Sequence, residues 1–292
     1  MSNHRKGVLI VGLGVITISP DALIIRLLHM DSPSIVFWRG LLTSIGFLIL
    51  ASILYRGRMR ARVASIGRFD LVVGLLNGLT NILFVTAITH TAVANTLVIL
   101  AASPVFGAVL SSLFLGDRIR RETWAACLAI LAGVAVIVHG NFGGPNLKGD
   151  LAAFAGSLCT ASFFVVLRRR PGSDPVPGIT MGSLFSALVI LPAVGTFALT
   201  AHQFVLAALL GLVLLPVAIG LIATGPAYLP APEIGLMTLL ETVLGPLWVW
   251  LGVGEEPSRA SVLCGALIVA VLAVHSVFSL RGERELRLSG GA

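Results

Sequence analysis

The sequence predicts an all-α membrane protein, with ten transmembrane helices forming two inverted five-helix repeats. Three observations lead there. Hydrophobic residues make up 57% of the chain, charged residues only 11%, and the mean hydropathy is +1.00; a soluble chain of this size needs a more polar surface. The apolar residues fall into ten runs, most near the ~20 residues a helix needs to cross the hydrocarbon core. The basic residues then segregate to one side of those runs.

The first run, Gly7–Leu28, follows a short basic start. It is longer than a signal-peptide core and lacks a small-residue cleavage pattern, so it is read as a span. Pro20 and Asp21 interrupt it. The next runs are Ser34–Tyr55, Phe69–Thr89, Ala92–Leu115, Thr123–His139, Asp150–Leu167, Gly178–Leu199, Phe204–Tyr228, Ile234–Val253 and Ala260–Leu280. Barrel strands would be half as long and alternate in polarity.

With the N-terminus in the cytoplasm, the inside receives Arg5, Lys6, Arg56, Arg58, Arg60, Arg62, Arg68, Arg118, Arg120, Arg121, Arg168, Arg169, Arg170, Arg281, Arg284 and Arg287. Of the 20 basic residues, only Arg26, Arg39, Lys148 and Arg259 fall elsewhere. This positive-inside split supports both the span count and two cytoplasmic termini. The expected location is the cell inner (plasma) membrane. Short loops leave no room for a soluble catalytic domain. The expected units are residues 1–140, a connecting loop at 141–149 (NFGGPNLKG), residues 150–280, and a tail at 281–292.

The net charge of +7 does not point to nucleic acid, because the basic residues form short clusters between apolar runs. Cys127, Cys159 and Cys264 lie inside apolar runs away from other ligands, so no disulfide and no metal site is expected. No cofactor is expected either. A phosphate-binding G-x-x-x-x-G-K-[ST] is missing, as are HExxH and G-x-S-x-G, which argues against an enzyme.

Shifting the sequence by 138 positions lays Gly116 on Gly254, Asp117 on Glu255 and Arg121 on Arg259, together with Gly107 on Gly245 and Val105 on Val243. A Gly-acid-x-x-x-Arg knot thus recurs between two spans of each half. Five spans per half is an odd number, so the halves insert in opposite senses, a device of secondary transporters. The turn Leu115-Gly116-Asp117-Arg118, the Trp38-Arg39-Gly40 opening of the second span and the Gly254-Glu255 turn resemble the EamA branch of the drug/metabolite transporter superfamily. Amino-acid exporters of bacterial inner membranes, including those for aromatic amino acids, are the most similar members. The chain departs from the family's Glu-Pro pair in the ninth span: Glu241 is present, but the proline stands at Pro246. The resemblance implies a central cavity lined by the first, third, fourth, sixth, eighth and ninth spans.

Polar residues inside the spans supply the candidate site. Asn77, Asn81 and Phe84 share a helix face at i, i+4 and i+7. They either line a cavity or glue helices, the latter worth roughly 1–2 kcal/mol or less per amide. Thr238, Glu241, Gly245 and Trp248 fall near one face of the ninth span. A carboxylate beside an indole suits a substrate ammonium, through Coulomb attraction and a cation–π contact, and it also suits proton coupling. The competing reading pairs Glu241 with a neighbour for structure alone. Asn95 and Ser103 complete the expected lining. Asp21 and Arg39 are read as a structural charge pair. The expected function is export of small amphipathic metabolites, amino acids first among them, by alternating access. Multidrug and nucleotide-sugar transport are the alternatives within the fold. The expected partners are the bilayer and a small-molecule substrate, with the oligomeric state open.

Overall fold

The computed structural model describes residues 3–55, 66–116, 146–170, 173–229 and 231–257, with isolated positions elsewhere. Among these residues the protein is wholly helical, without a strand. Seven helical segments are long and apolar enough to cross a membrane: His4–Leu28, Ser32–Tyr55, Arg68–His90, Val93–Leu115, Leu147–Arg169, Val176–Ala193 and Ala201–Ala227. A shorter apolar helix, Glu241–Val253, belongs to the expected ninth span. The expected fifth and tenth spans lie almost wholly outside the described residues, as do the tail and the clusters Arg56–Arg62 and Arg118–Arg121.

Several spans are broken. The first consists of α1 (Asn3–Ile18) and α2 (Asp21–Leu28), separated at Ser19 and Pro20. Proline has no N–H for the helix ladder, and its ring crowds the preceding turn. Next come α3 (Ser32–Tyr55) and α4 (Arg68–His90), both continuous. The fourth span divides into α5 (Val93–Leu100) and α6 (Ser103–Leu115), with Pro104 near the start of the second piece. Then follow α7 (Leu147–Arg169) and α8 (Val176–Ile190). The seventh span stops earlier than its apolar run implies: a 3₁₀ turn at Leu191–Ala193, built around Pro192, ends it. The eighth runs through α9 (Ala201–Ala208), a π-helical stretch at Leu209–Leu214, and α10 (Leu215–Thr224), which has Pro216 in its first turn.

The ninth span is a correction to its reading as one uninterrupted run. It divides into α11 (Ala231–Thr238) and α12 (Glu241–Val253). Every boundary of α11 and α12 lies 138 positions after the matching boundary of α5 and α6. The left-handed glycines that close the two pairs, Gly116 (φ 71°) and Gly254 (φ 73°), carry the same offset. A residue with a Cβ is strained at such a helix end, which suits glycine there.

Small residues set the closest packing. At the crossing of α4 and α8, a Cβ on Gly182 would collide with the Gly74 carbonyl oxygen, and one on Gly78 would stand 2.6 Å from the Gly182 oxygen. Backbones in lipid approach this closely where side chains are absent. The outward faces are apolar: Leu13, Ile16, Ile53, Leu54, Leu113, Phe114 and Leu251 are each more than half exposed. In water so continuous an apolar surface would be a liability, whereas against acyl chains it is the expected finish. The chain is a multi-pass membrane protein.

Candidate functional site

The three broken spans converge. Ile18 and Asp21 flank the first break, Leu100, Ala101 and Ser103 the second, and Thr238, Leu239 and Glu241 the third, and all of them line one internal cavity of about 170 Å³. Interrupted helices bring backbone ends and polar side chains to the membrane interior, where they can be tolerated only against protein or a cavity.

One wall is a hydrogen-bonded polar chain. The Arg39 guanidinium donates from Nε to Asp21 Oδ1 at 3.3 Å and from Nη2 to Asp21 Oδ2 at 2.5 Å. Its Nη1 donates to Asn81 Oδ1. Asn81 passes the chain on through Nδ2 to Ser186 Oγ at 2.7 Å, and Ser186 Oγ donates to the Ser183 carbonyl at 2.8 Å. Asn77 Nδ2 reaches the Ile179 carbonyl at 3.3 Å and Ser183 Oγ at 3.4 Å. The guanidinium also lies over the Phe84 ring, 5.4 Å from its centroid. The bidentate fork neutralises both charges of a pair buried on the second and first spans.

Glu241 is different. It is partly exposed to the cavity, and no hydrogen bond or ion pair joins it to any described side chain. The Asp21–Arg39 pair lines the same cavity, with both of its charges already engaged. Thr43 and Thr80 also line it, and the hydroxyl of each is buried without a hydrogen-bond partner. Phe163, Phe164, Leu215, Ile219 and Ile222 supply an apolar side.

Of the residues expected at the site, Asn77, Asn81, Phe84, Ser103, Thr238 and Glu241 line this cavity, and so do Asp21 and Arg39. Asn95 and Trp248 are not in the lining. Asn95 is buried in α5, two positions and hence about 200° around the helix from the cavity-facing Leu97. Trp248 stands two turns, about 10 Å, beyond Glu241 on α12. There its indole N–H donates to Ser19 Oγ at 3.0 Å, and the residue is 41% exposed. The lining also draws on the second and seventh spans, through Thr43, Gly40 and Ser183. Sequence reasoning did not find Thr43, Thr80, Phe163 or Phe164. A threonine or phenylalanine within an apolar run reads the same whether it faces lipid, a neighbour or a cavity.

A second charged cluster ties the segments together at one end of the bundle. Glu255, just beyond the left-handed Gly254, accepts the backbone N–H of Val93 at 3.0 Å and pairs with Arg26 Nε at 3.0 Å. Arg26 Nη2 also donates to the Thr91 carbonyl at 3.1 Å. The start of α5, the end of α2 and the end of α12 therefore meet on one carboxylate.

A family likeness is carried by the first half of the chain, which holds the interrupted first and fourth spans and the arginine of the second. Residues 5–139 match the EamA-like transporter family. That family belongs to the drug/metabolite transporter superfamily. An uncharacterized transporter, YdfC of Bacillus subtilis (strain 168), is 28% identical over 178 residues, which is 59% of this chain and 58% of that protein. The alignment thus spans less than two thirds of the length of YdfC. A protein of known crystal structure superposes with a TM-score of 0.74 at 22% identity, covering 96% of this chain and 99% of the other. That likeness is one of fold. The polar chain from Asp21 to Asn81 lies inside the EamA-like stretch, while Glu241 lies beyond it.

Proposed function

We propose that this EamA-like protein is a secondary transporter that exports small amphipathic metabolites across the cytoplasmic membrane by alternating access. In this reading the chain forms two inverted five-helix halves, and the shared break pattern of the fourth and ninth spans is what supports it. The observation that carries the proposal is the cavity at the meeting point of three interrupted helices, with an unpaired carboxylate in its wall. A carboxylate placed so deep is costly to keep unless something compensates it in turn. A cargo ammonium or a proton can do so.

Amino acids are the first cargo class to test, since they join an ammonium to an apolar or aromatic body. A nucleotide-linked sugar is disfavoured: its phosphates would need free cations, and Arg39, the cation among the lining residues, is held by Asp21 and Asn81. The experiment is flux through the purified protein in liposomes, with a panel of labelled amino acids and an imposed pH gradient. Wild-type protein should move at least one of them, and Glu241→Gln should reduce its flux tenfold or more. Unchanged flux in Glu241→Gln would remove that residue from the mechanism.

A further inference from the structure

We infer that the cavity prefers a monocationic amine with an apolar or aromatic body over the zwitterion or anion of the same shape. This rests on the transport reading of the cavity and narrows its cargo.

The argument is a charge tally. Among the described residues, three ionisable side chains line the cavity: Asp21, Arg39 and Glu241. The first two cancel, and geometry rather than proximity alone commits them to each other. Both Asp21 oxygens accept from Arg39, and Nη1 donates to the Asn81 carbonyl oxygen, so three of the five guanidinium N–H groups are engaged. A carboxylate approaching the other N–H groups would meet an arginine whose charge Asp21 already balances, with the Asp21 carboxylate beside it to repel a second anion. The third, Glu241, makes no hydrogen bond or ion pair with a described side chain, although it lies in the field of Asp21 and Arg39. It can take a cation without breaking an existing contact.

The remaining lining fits the same cargo. The hydroxyl oxygens of Thr43 and Thr80 are buried without partners at the cavity wall, and a χ1 rotation would turn either one to accept an N–H bond from an ammonium. The rings of Phe163 and Phe164 stand in the wall, 5.5 Å apart between centroids, and their π faces attract a cation. Phe84 is already covered by the arginine and is not counted. Leu215, Ile219 and Ile222 suit an apolar body. Neither a free cation nor an exposed helix N–H is required.

The test holds the ring constant and changes the charge. Benzyltrimethylammonium and phenethylamine are the cations, phenylalanine the zwitterion and 3-phenylpropanoate the anion. Binding to the full-length protein in detergent is followed by calorimetry at neutral pH. Benzyltrimethylammonium is also followed as flux in liposomes, because its permanent charge prevents leakage through lipid. Both cations should bind at least tenfold more tightly than phenylalanine, with 3-phenylpropanoate weakest. Glu241→Gln should lose that preference, and Glu241→Asp, which keeps the charge, should retain most of it.

Equal or tighter binding of phenylalanine or of the anion overturns the inference. So does unaltered cation binding by a folded Glu241→Gln protein, and so does failure of all four probes to bind. Flux of phenylalanine without binding of either cation would leave transport standing and reject the charge preference. Tight cation binding without flux of any probe would support the preference and reject transport.

Discussion

At the scale of single residues, the two acids of the cavity have different tasks. Asp21 is fully engaged by Arg39, so its removal strands a guanidinium in a place poor in water. Breaking one side of a buried pair costs about 3–5 kcal/mol in measured cases, and replacing both sides costs far less. Asp21→Asn should therefore lower the melting temperature in detergent by several degrees. The double variant Asp21→Asn, Arg39→Met should recover part of the loss. Glu241→Gln, which orphans nothing, should melt close to wild type, and thermal unfolding followed by intrinsic fluorescence separates the three. The pairing of Asp21 with Arg39 could be read from the sequence because two lone opposite charges in adjacent apolar runs have few alternatives. Helical spacing put Asn77, Asn81 and Phe84 on one face but did not separate lining from helix glue, and the two asparagines both border the cavity and bond to the seventh span. Trp248 was misplaced because spacing fixes a face but not a depth. The break between Thr238 and Glu241 also interrupts the periodicity that was carried across it.

At the scale of elements, the crossing of α4 and α8 is the tightest test of packing. A Cβ on Gly182 meets the Gly74 carbonyl oxygen and stands 3.0 Å from Asn77 Cβ. A Cβ on Gly156 meets only side chains, at 3.4 and 3.6 Å. Gly182→Val should thus separate two helices, at about 1–3 kcal/mol or more as overpacking usually costs. Gly156→Ala should be nearly neutral. Thermal stability of the two variants side by side measures the difference, and similar melting points would contradict the close approach. Gly74 and Gly78 form a G-x-x-x-G in the sequence, a spacing that allows two helices to touch. The seventh span as their partner was not legible, because nothing in a run of apolar residues says which neighbour it faces. Helix breaks were only partly visible. Pro20 and Pro104 mark two of them, but the third falls at Leu239–Leu240 without a proline or glycine.

At the scale of the whole molecule, span number and orientation rest on the basic residues, since the fifth and tenth spans lie almost wholly outside the described residues. Even span count and a cytoplasmic N-terminus predict a cytoplasmic C-terminus. A green fluorescent protein fused after Ala292 should fluoresce, and alkaline phosphatase fused there should be inactive; the opposite pair of results would require an odd number of spans or the reverse orientation. Composition made the membrane class legible at once, because lipid demands apolar surface everywhere along the span. The cavity was not legible as a volume, since it arises only where three interruptions meet. The Glu255 junction carries its own consequence. A single carboxylate holds a helix start and an arginine from another segment, and that arginine in turn grips a carbonyl beside the same helix start. Loss of that one carboxylate would therefore remove the contact to Val93 and the contact to Arg26 together. Because the Arg26 and Glu255 side chains are 27% and 31% exposed, dissolved electrolyte on that face of the membrane should weaken the pair.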